Sequence, residues 1–498
     1  MDGFVQALAG FGDPTLAGLV LAGVIGGIMV GAMPGLSSTM ATALLLPFTI
    51  EMPVLHAIAL LSALYCAGTF GGSITAILVN APGAPPAAAT AFDGYPLAQK
   101  GRAGQALGLA AVSSAIGGIA SVLVLIVAAP LLSRMAYNFG PPEYFALALF
   151  GLSMLASISG QSPLKNLLAG AFGVLLATVG MDFTTGVDRF TFGFWELSEG
   201  IHFIPVMIGL FAGAEFLTQA SKLDQKRVHA VLDAIRLPSR ADIRRCAGTI
   251  ARSCGIGSFI GVLPAEGGTI AAMIGYNEAK RFAKDKSGFG EGDLRGIAGP
   301  EAANNAATGA AMVPTLALGI PGSATTAIIL GALLVHGLRP GPHIFAETPT
   351  LLYTIFLAML LANIAFLFLG LVGAKLFARI TLIPVTFLWP TVIILACVGS
   401  YALEQSMLDV WIMVIAAVLG FALKRYGFSA APIIMGLILG SVVEGSLKQS
   451  LIIFDHSWWG FFERPIVLVF FALTAVSISA PFVGRALARR RGGAASAA

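Results

Sequence analysis

The same pattern of glycine and proline occurs twice in this chain: residues 27–35 read Gly-Ile-Met-Val-Gly-Ala-Met-Pro-Gly, and residues 257–265 read Gly-Ser-Phe-Ile-Gly-Val-Leu-Pro-Ala. Two glycines and the proline recur in register, and a threonine follows each proline at the same distance, as Thr39 and Thr269. Small residues spaced in this way allow close helix packing, and a proline interrupts a helix. The pattern therefore predicts two related helical hairpins.

A second pair of interruptions follows these segments. Residues 80–83 read Asn-Ala-Pro-Gly, and residues 319–322 read Gly-Ile-Pro-Gly. Each motif alone is typical of a kink or a packing contact. Four interruptions paired across two halves instead favour a secondary transporter, in which broken helices form the binding site. We therefore expect two repeats, each with a re-entrant hairpin and a broken helix.

The composition places these motifs in a membrane. Of the 498 residues, 57% are hydrophobic and only 11% are charged, whereas soluble domains have about 25% charged residues. Apolar runs occur along the whole chain, which predicts an all-α polytopic membrane protein with about 11 crossings plus two hairpins. The net charge of +4 indicates basic cytoplasmic loops and gives no support for a nucleic-acid partner.

Basic residues predict the orientation of the two halves. No Lys or Arg precedes Lys100, so the N-terminus is expected outside the cytoplasm. The apolar segment 255–277 has basic residues on both sides, at 221–253 and 280–286, which predicts a hairpin that returns to the cytoplasmic side. The arginines of 485–491 place the C-terminus inside. One half begins outside and the other inside, so the repeats are expected to be inverted.

The chain is therefore divided into two repeats and a linker. By analogy of architecture alone, the hairpins and broken helices are expected to move as one elevator-like unit. The predicted parts are a first membrane repeat at 1–219 with a hairpin at 17–50 and a broken helix at 54–92, a basic cytoplasmic linker at 220–253, and a second repeat at 254–498 with a hairpin at 255–277 and a broken helix at 300–335.

The interrupted segments combine helix starts with neutral polar side chains. Residues 17–92, 255–277 and 300–335 contain no Lys or Arg. A proline followed by Ser or Thr is typical of a helix start, where free N–H groups and the helix dipole attract anions. The predicted substrate-binding residues are Pro34, Gly35, Ser37, Ser38, Thr39, Asn80, Pro82, Gly83, Pro264, Gly267, Gly268, Thr269, Pro321, Gly322 and Ser323.

Two carboxylates lie among these elements. Glu266, at the expected tip of the second hairpin, is predicted to couple ions together with Asn304, Asn305 and Thr308, because acids inside a membrane are costly and commonly functional. The alternative is an interfacial acid that reaches water. Glu301 follows a proline and is expected in the first turn of a helix, where it would favour the dipole, and a functional role inside the membrane is the alternative. No metal is predicted beyond a transported cation, Na⁺ or H⁺, and no other cofactor.

The sequence contains no pattern that predicts an enzyme. There is no Gly-Lys dipeptide for a phosphate-binding loop, no HExxH, no GxSxG and no CxxC pair. A membrane-embedded enzyme would need a nucleophile–base pair or a metal site, and neither is recognisable. An anion channel or facilitator that uses the same helix starts is the alternative to a carrier.

Several longer motifs resemble the large membrane subunit of the tripartite tricarboxylate transporters (TctA type), and the resemblance covers nearly the whole chain. Departures occur at Pro264-Ala265-Glu266 and at 65–70. The matching motifs are Gly-Gly-Ser-Ile-Thr-Ala-Ile-Leu-Val-Asn-Ala-Pro-Gly (71–83), Thr-Ala-Phe-Asp-Gly-Tyr-Pro (90–96), Lys-Gly-Arg-Ala-Gly (100–104), Pro-Glu-Ala-Ala-Asn-Asn-Ala (300–306), Leu-Gly-Ile-Pro-Gly (318–322) and His-Gly-Leu-Arg-Pro-Gly-Pro (336–342).

The resemblance implies a multi-pass permease of the bacterial inner membrane. It implies uptake of di- or tricarboxylates, driven by a cation gradient, with Na⁺ as the expected ion. It also implies two partners, a small four-helix membrane subunit and a periplasmic substrate-binding protein.

Overall fold

The computed structural model describes residues 2–33, 35–155, 162–182, 184–220, 238–263, 267–373, 376–377, 379 and 385–495. These residues are predominantly helical, which confirms the predicted all-α membrane class. The number of crossings and the inversion of the repeats stay predictions. Within the described ranges, seven helical segments are long and apolar enough to cross a membrane, namely 14–31, 54–79, 85–136, 203–220, 349–372, 407–425 and 430–453.

The helices are numbered here along the chain. The first half contains α1 (Asp2–Gly10), α2 (Pro14–Gly31), α3 (Ser38–Thr49), α4 (Val54–Val79), α5 (Ala88–Leu97), α6 (Ala103–Ala136), α7 (Pro141–Met154), α8 (Pro163–Ala177), α9 (Phe203–Ile208) and α10 (Ala214–Ala220). The second half contains α11 (Arg240–Val262), α12 (Gly267–Arg281), α13 (Arg295–Leu318), α14 (Ala324–Val335), α15 (Ile344–Glu347), α16 (Pro349–Val372), α17 (Val385–Glu404), α18 (Met407–Arg425), α19 (Ala430–Ile453) and α20 (Pro465–Ala495).

Short elements connect some of these helices. Residues 85–87, 195–199 and 458–461 form single 3₁₀ turns, and 98–102 and 209–213 are π-helical turns. The strands β1 (Gly180–Met181) and β2 (Asp188–Arg189) pair antiparallel.

The chain folds into two compact units that do not follow its division into halves. Unit 1 combines residues 1–136 with 204–421, and unit 2 combines 137–203 with 422–498. Each unit therefore takes segments from both predicted repeats. All described residues of the predicted binding site belong to unit 1.

The first hairpin of unit 1 consists of α2 and α3, which pack against α4. The glycines of α2 make this approach possible. A Cβ added to Gly27 would lie 2.7 Å from the carbonyl oxygen of Leu64, and one added to Gly31 would lie 2.5 Å from that of Gly68. Such close approach of two backbones requires small residues on the contacting face. The motif at 27–35 therefore acts as a packing surface as well as a break.

The second hairpin, α11 and α12, packs against α13 in the same way. A Cβ on Gly261 would lie 2.7 Å from the carbonyl oxygen of Ala307, and one on Gly257 would clash with that of Ala303. The glycines that match in sequence thus face residues that are again four apart on the partner helix. α11 begins at Arg240, inside the range expected to be the linker, because its polar first half continues the helix beyond the apolar segment.

Both broken helices end in the same backbone conformation. α4 ends at Val79 and α13 at Leu318, and the residues that cap them, Asn80 and Gly319, are left-handed, with φ of 52° and 69°. Asparagine and glycine tolerate this conformation best, and a proline two residues later prevents the helix from continuing. The tetrapeptides at 80–83 and 319–322 therefore act mainly as helix stops before a new helix begins.

Unit 2 is a smaller bundle of α7, α8, α19 and α20. Glycines again set the contact of α8 with α19, because a Cβ on Gly173 or Gly436 would clash with a backbone carbonyl of the facing helix. Aromatic rings pack beside them, with the ring of Phe145 5.3 Å from that of Phe461 and 6.4 Å from that of Phe471.

Candidate transport site

The first hairpin and the second broken helix each contribute a capped helix start. Ser37 precedes α3, and its hydroxyl accepts the N–H of Met40 at 3.2 Å. Ser323 precedes α14, and its hydroxyl accepts the N–H of Thr326 at 3.2 Å. Helix starts after Pro34 and Pro321 were expected, and the two capping serines follow those prolines within three residues. Each start has a partial positive charge of about half a unit.

These two helix starts contact each other. The hydroxyl of Thr39, in the first turn of α3, lies 2.7 Å from that of Thr325, in the first turn of α14. The hydroxyl of Tyr65, on α4, lies 3.4 Å from that of Ser323. Four hydroxyl groups from both halves of the chain therefore lie at the positive ends of two helices, which suits a bound anion.

The second hairpin meets the first broken helix in a corresponding way. A Cβ added to Gly268, at the start of α12, would lie 3.2 Å from the side-chain oxygen of Asn304 and 3.4 Å from Pro86. Pro86 belongs to the 3₁₀ turn that follows the break in the first half. The absence of a side chain at Gly268 thus allows α12 to approach both elements. Each hairpin contacts the broken helix of the other half.

Other predicted substrate residues shape the backbone around these contacts. Gly35 has φ of 89°, and a Cβ there would lie 2.5 Å from the side chain of Gln219. Gly83 donates its N–H to the carbonyl of Gly72 at 3.2 Å. Gly322 donates its N–H to the hydroxyl of Thr315 at 3.2 Å.

Three of the predicted residues lie outside the contacts between the helix starts. Asn80 caps the end of α4 and its side chain is exposed, and Pro82 is exposed beside it. The 3₁₀ turn at 85–87 has no side-chain cap. Ala84 precedes this turn and occupies the position that corresponds to Ser323 in the second half. Ser38 is buried, and its carbonyl accepts the hydroxyl of Thr42 at 2.7 Å.

Of the remaining predicted residues, three are described in the structure and three are not. Gly267 begins α12 and is buried, Thr269 is half-buried, and Pro321 is buried just before α14. Pro34, Pro264 and Glu266 lie outside the described residues, so the coupling role of Glu266 stays a prediction.

Asn304, Asn305 and Thr308 lie on α13 and are almost fully buried. The hydroxyl of Thr308 donates to the carbonyl of Asn305 at 2.7 Å, and the amide of Asn305 donates to the carbonyl of Glu301 at 3.4 Å. Within the described part of the chain, the side-chain oxygen of Asn305 and the side-chain nitrogen of Asn304 have no hydrogen-bond partner. Buried polar atoms of this kind are rare and commonly mark a functional site.

Glu301 is the principal residue that the sequence placed wrongly. α13 begins at Arg295, so Glu301 lies nearly two turns inside it rather than in a first turn that begins at the preceding proline. Its side chain is fully buried and accepts three hydroxyl hydrogen bonds. Ser73 donates at 2.5 Å and Thr90 also donates to one carboxylate oxygen, while Ser114 donates to the other at 2.7 Å.

The three donors come from three different helices, α4, α5 and α6. A sequence signal existed, since Ser73, Thr90 and Glu301 each fall within one of the long family-like motifs. Spacing along the chain could not join them, because more than 200 residues separate Glu301 from Thr90 and from Ser73. We call this group, formed by Glu301 and the three hydroxyls, the hydroxyl cage.

A second buried carboxylate lies on the neighbouring helix α5. One oxygen of Asp93 accepts the backbone N–H groups of Gly290, Gly292 and Asp293 at 2.8–2.9 Å. A carboxylate that binds several N–H groups of one short segment holds the conformation of that segment. Asp93 therefore anchors the segment that leads into α13, and so positions Glu301.

The described residues contain no group of three or more His, Cys, Asp or Glu side chains that could hold a metal ion. Together, the apolar helices and the buried polar interruptions define a multi-pass helical membrane protein. The sequence matches the Tripartite tricarboxylate transporter TctA family over residues 18–435, and the chain belongs to this family. It is therefore a membrane subunit of a tricarboxylate transporter.

Two relatives come from Agrobacterium vitis. One, described as an uncharacterized 52.8 kDa protein in the TAR-I ttuC' 3'region, is 39% identical over 444 residues, which cover 89% of this chain and 88% of the relative. The other, described as an uncharacterized protein in the TAR-II ttuC' 3'region, is 34% identical over 222 residues, which cover 45% of this chain and 92% of the relative. No solved structure matches the chain.

Proposed function

We propose that the chain is the permease subunit of a binding-protein-dependent secondary active transporter that imports di- or tricarboxylates. The observation that carries this proposal is the contact between the starts of α3 and α14, where Thr39 meets Thr325 at 2.7 Å. Two helix dipoles and several hydroxyls can bind carboxylate groups there without a basic side chain. The chain is then a transport protein, and no enzymatic step is assigned to it.

A site without Lys or Arg suits a carrier that must release its substrate. Segments 17–92, 255–277 and 300–335 contain no fixed positive charge. A bound anion is therefore neutralised only by partial charges and by a cation that enters with it, which lowers the cost of leaving water. We propose that this cation is Na⁺, bound near Glu266, Asn304, Asn305 and Thr308.

The reciprocal contacts between the hairpins and the broken helices of opposite halves support an elevator-like movement. The first hairpin contacts the second broken helix, and the second hairpin contacts the first. We propose that these four elements form one mobile unit with inverted symmetry. Cross-linking them to α16 should then stop transport and leave substrate binding intact, and continued transport would contradict the elevator movement.

The full system, as we propose it, has two further components in the bacterial inner membrane and periplasm. A small four-helix membrane subunit completes the permease, and a periplasmic binding protein delivers the carboxylate. The N-terminus is then periplasmic and the C-terminus cytoplasmic.

The test is uptake of labelled di- and tricarboxylates into proteoliposomes that contain this chain and the small subunit. Saturable uptake that requires both the binding protein and a Na⁺ gradient is expected. Current that does not saturate and is independent of any cation gradient would instead establish an anion channel.

A single hydroxyl tests the site itself. Thr39→Val should raise KM about tenfold, because one hydrogen bond to a charged ligand is worth about 1.5–3 kcal/mol. The matched control is Thr49→Val on the same helix, since the hydroxyl of Thr49 bonds only to the carbonyl of Leu46, at 2.7 Å. Equal KM values for the two variants would place the substrate elsewhere.

A further inference from the structure

We propose that Glu301 is a proton-binding site of the transport cycle, and that the hydroxyl cage responds to the bound proton by changing its hydrogen bonds. The inference rests on the proposed function as a cation-coupled carrier and adds a proton to it. It assigns a role to a carboxyl group that lies apart from the helix starts.

The first step of the argument is the cost of burying the charge. The side chain of Glu301 is 0% exposed, and among the described residues no Lys, Arg or His side chain forms an ion pair with it. An ionised carboxylate buried without a countercharge is strongly unfavourable, and only its hydrogen bonds offset part of that cost. Binding of one monovalent cation removes the charge. The site is therefore built to be occupied during part of the cycle.

The second step is the size of the cation. The oxygens of Ser73 and Ser114 lie 2.5 Å and 2.7 Å from the carboxylate oxygens, which is the separation of a direct O–H···O⁻ hydrogen bond. A metal ion inserted among these oxygens would need about 2.3–2.6 Å to each of them, as Ca²⁺ does, and would force them apart. A proton needs no added volume. The closed cage therefore favours H⁺ over Na⁺.

The third step is what protonation does to the cage. The ionised carboxylate accepts all three O–H groups of Ser73, Thr90 and Ser114. When a proton binds, an O–H bond forms on one carboxyl oxygen, and the carboxyl becomes a donor on that side. One of the three hydroxyls must then turn its own hydrogen away. Because the hydroxyls belong to α4, α5 and α6, protonation changes how α13 is attached to one of these helices.

The fourth step connects the cage to the candidate substrate site. α4 carries Ser73 of the cage and Tyr65, whose hydroxyl lies 3.4 Å from that of Ser323. Eight residues of helix separate them, which is about 12 Å. One turn beyond Glu301 on α13, Asn305 has a buried side-chain oxygen without a partner in the described structure. A change at the cage is thus linked by one rigid helix to the helix-start site.

The following titratable groups on the helices packed against α13 have partners other than Glu301 or lie far from it. They are Asp93 of α5 with the 290–293 backbone, His56 of α4 with Asp13, Tyr65 of α4 with Ser323, Cys66 of α4 with Thr308 and Asn363, Tyr276 of α12 with the rings of Phe92 and Phe289, Glu278 and Arg281 of α12 with each other, Asp242 of α11 with Ser239 and Gln105, Cys246 and Arg245 of α11 beside Asp293, Arg252 of α11 over the ring of Phe282, Arg295 of α13 with Asp293, and Arg134 near the far end of α6. The pH response is therefore expected from Glu301.

The experiment compares net uptake with substrate exchange in proteoliposomes that contain the complete transporter. Glu301→Gln keeps the shape of the side chain but cannot lose a proton. We expect it to exchange internal for external labelled carboxylate within about twofold of the wild-type rate. With the inward Na⁺ gradient held constant, the uptake that an added inward proton gradient drives should fall at least tenfold and lose its pH dependence. The control is Glu291→Gln, whose side chain is 73% exposed; it should behave as wild type.

The proposal would be overturned by a Glu301→Gln variant that keeps proton-driven uptake and its pH profile. It would equally be overturned by loss of exchange and uptake to the same extent, which indicates a purely structural role. Loss of the Na⁺ dependence alone would assign the cage to Na⁺ instead and would also reject the proton. Failure of the wild type to exchange substrate at all would reject the proposed carrier function and is distinguishable from these outcomes.

Two further measurements test the proposal if Glu301→Gln does not fold. One uses the conservative variant Glu301→Asp, and the other uses the wild type. Glu301→Asp keeps a titratable group, so it should retain proton-driven uptake with a displaced pH profile, and an unchanged profile would contradict the proposal. In the wild type, a pH indicator trapped inside the vesicles should report acidification when a fully ionised carboxylate enters. Uptake without such acidification would also contradict the proposal.

Discussion

Two carboxylate sites, one in each compact unit, are held in contrasting ways. In unit 1, Glu301 is fully buried and accepts only neutral hydroxyl donors. In unit 2, Glu444 and Asp182 pair with Arg189 and Lys448: Arg189 contacts Glu444 at 2.5 Å, and Lys448 contacts Asp182 and Glu444 at 2.6 Å each. One carboxylate is held by dipoles alone, and the others are held by permanent charges.

The unit 2 ion cluster fixes the ionised state. The ammonium of Lys448 donates to Asp182 and, together with the N–H of Thr184, lowers the pKa of Asp182 to about 2. These four charges stay paired at any physiological pH, so the cluster can only hold the β1–β2 segment against α19. Hydroxyl donors stabilise a charge far less than a cation does. The hydroxyl cage therefore leaves its charge removable, which a transport cycle requires and a structural clamp does not.

The largest expected effect follows from removing two donors of the cage. Ser73→Ala combined with Thr90→Val should lower net carboxylate uptake more than about 100-fold, since each hydrogen bond to a charged group is worth about 1.5–3 kcal/mol. Initial uptake rates in proteoliposomes measure it. Thr75→Val is the control, because the hydroxyl of Thr75 bonds within α4 to the carbonyl of Gly72 at 3.1 Å. Uptake at the control level would remove the cage from the mechanism.

The next effect is a shift in the pH profile when one donor is removed. Ser114→Ala deletes a hydrogen bond that favours the ionised carboxylate, so the half-maximal pH of uptake should move upward by about 1–2 units. Ser113→Ala is a matched control, because the buried hydroxyl of Ser113 has no partner in the described structure. A downward shift, or the same shift in both variants, would contradict the assignment.

A smaller effect is expected in unit 2. Arg189→Gln should lower the thermal stability of the purified protein and leave carboxylate uptake unchanged, because the cluster acts as a clamp. Combined with Glu444→Gln, the loss should be less than additive, with a coupling energy of about 1 kcal/mol. A double-mutant cycle of melting temperatures measures it. Strictly additive losses would show that the two side chains do not depend on each other.

The smallest effect is the acid sensitivity of the same cluster. The pKa of Asp182 is lowered on folding from 3.8 to about 2, so its stabilising contribution is present above about pH 4 and is lost as the pH falls towards 2. Lys448→Met should remove this part of the acid dependence, which thermal melts between pH 2 and pH 5 can follow. Identical acid dependence in the variant would reject the pairing as its cause.

The sequence alone predicted the helical membrane class and the four interruptions. It could do so because burial in lipid requires long apolar helices, and because glycine and proline act on their own backbone. The helix starts at α3 and α14 followed from Pro34 and Pro321 with a following serine, since a cap involves neighbouring residues only. The same local logic misjudged Glu301, whose helix begins before its proline.

Only the tertiary structure decided which polar groups meet. Thr39 meets Thr325, and Ser73 and Thr90 meet Glu301, across separations of 211 to 286 residues. No periodicity carries that information, because a hydroxyl has the same local pattern whether it faces its own helix or a carboxylate on another. Glycines such as Gly31 allow two backbones to touch, but packing of the whole unit selects the partner. The sequence thus determined the helices and their breaks, and the packing of those helices decided the chemistry between them.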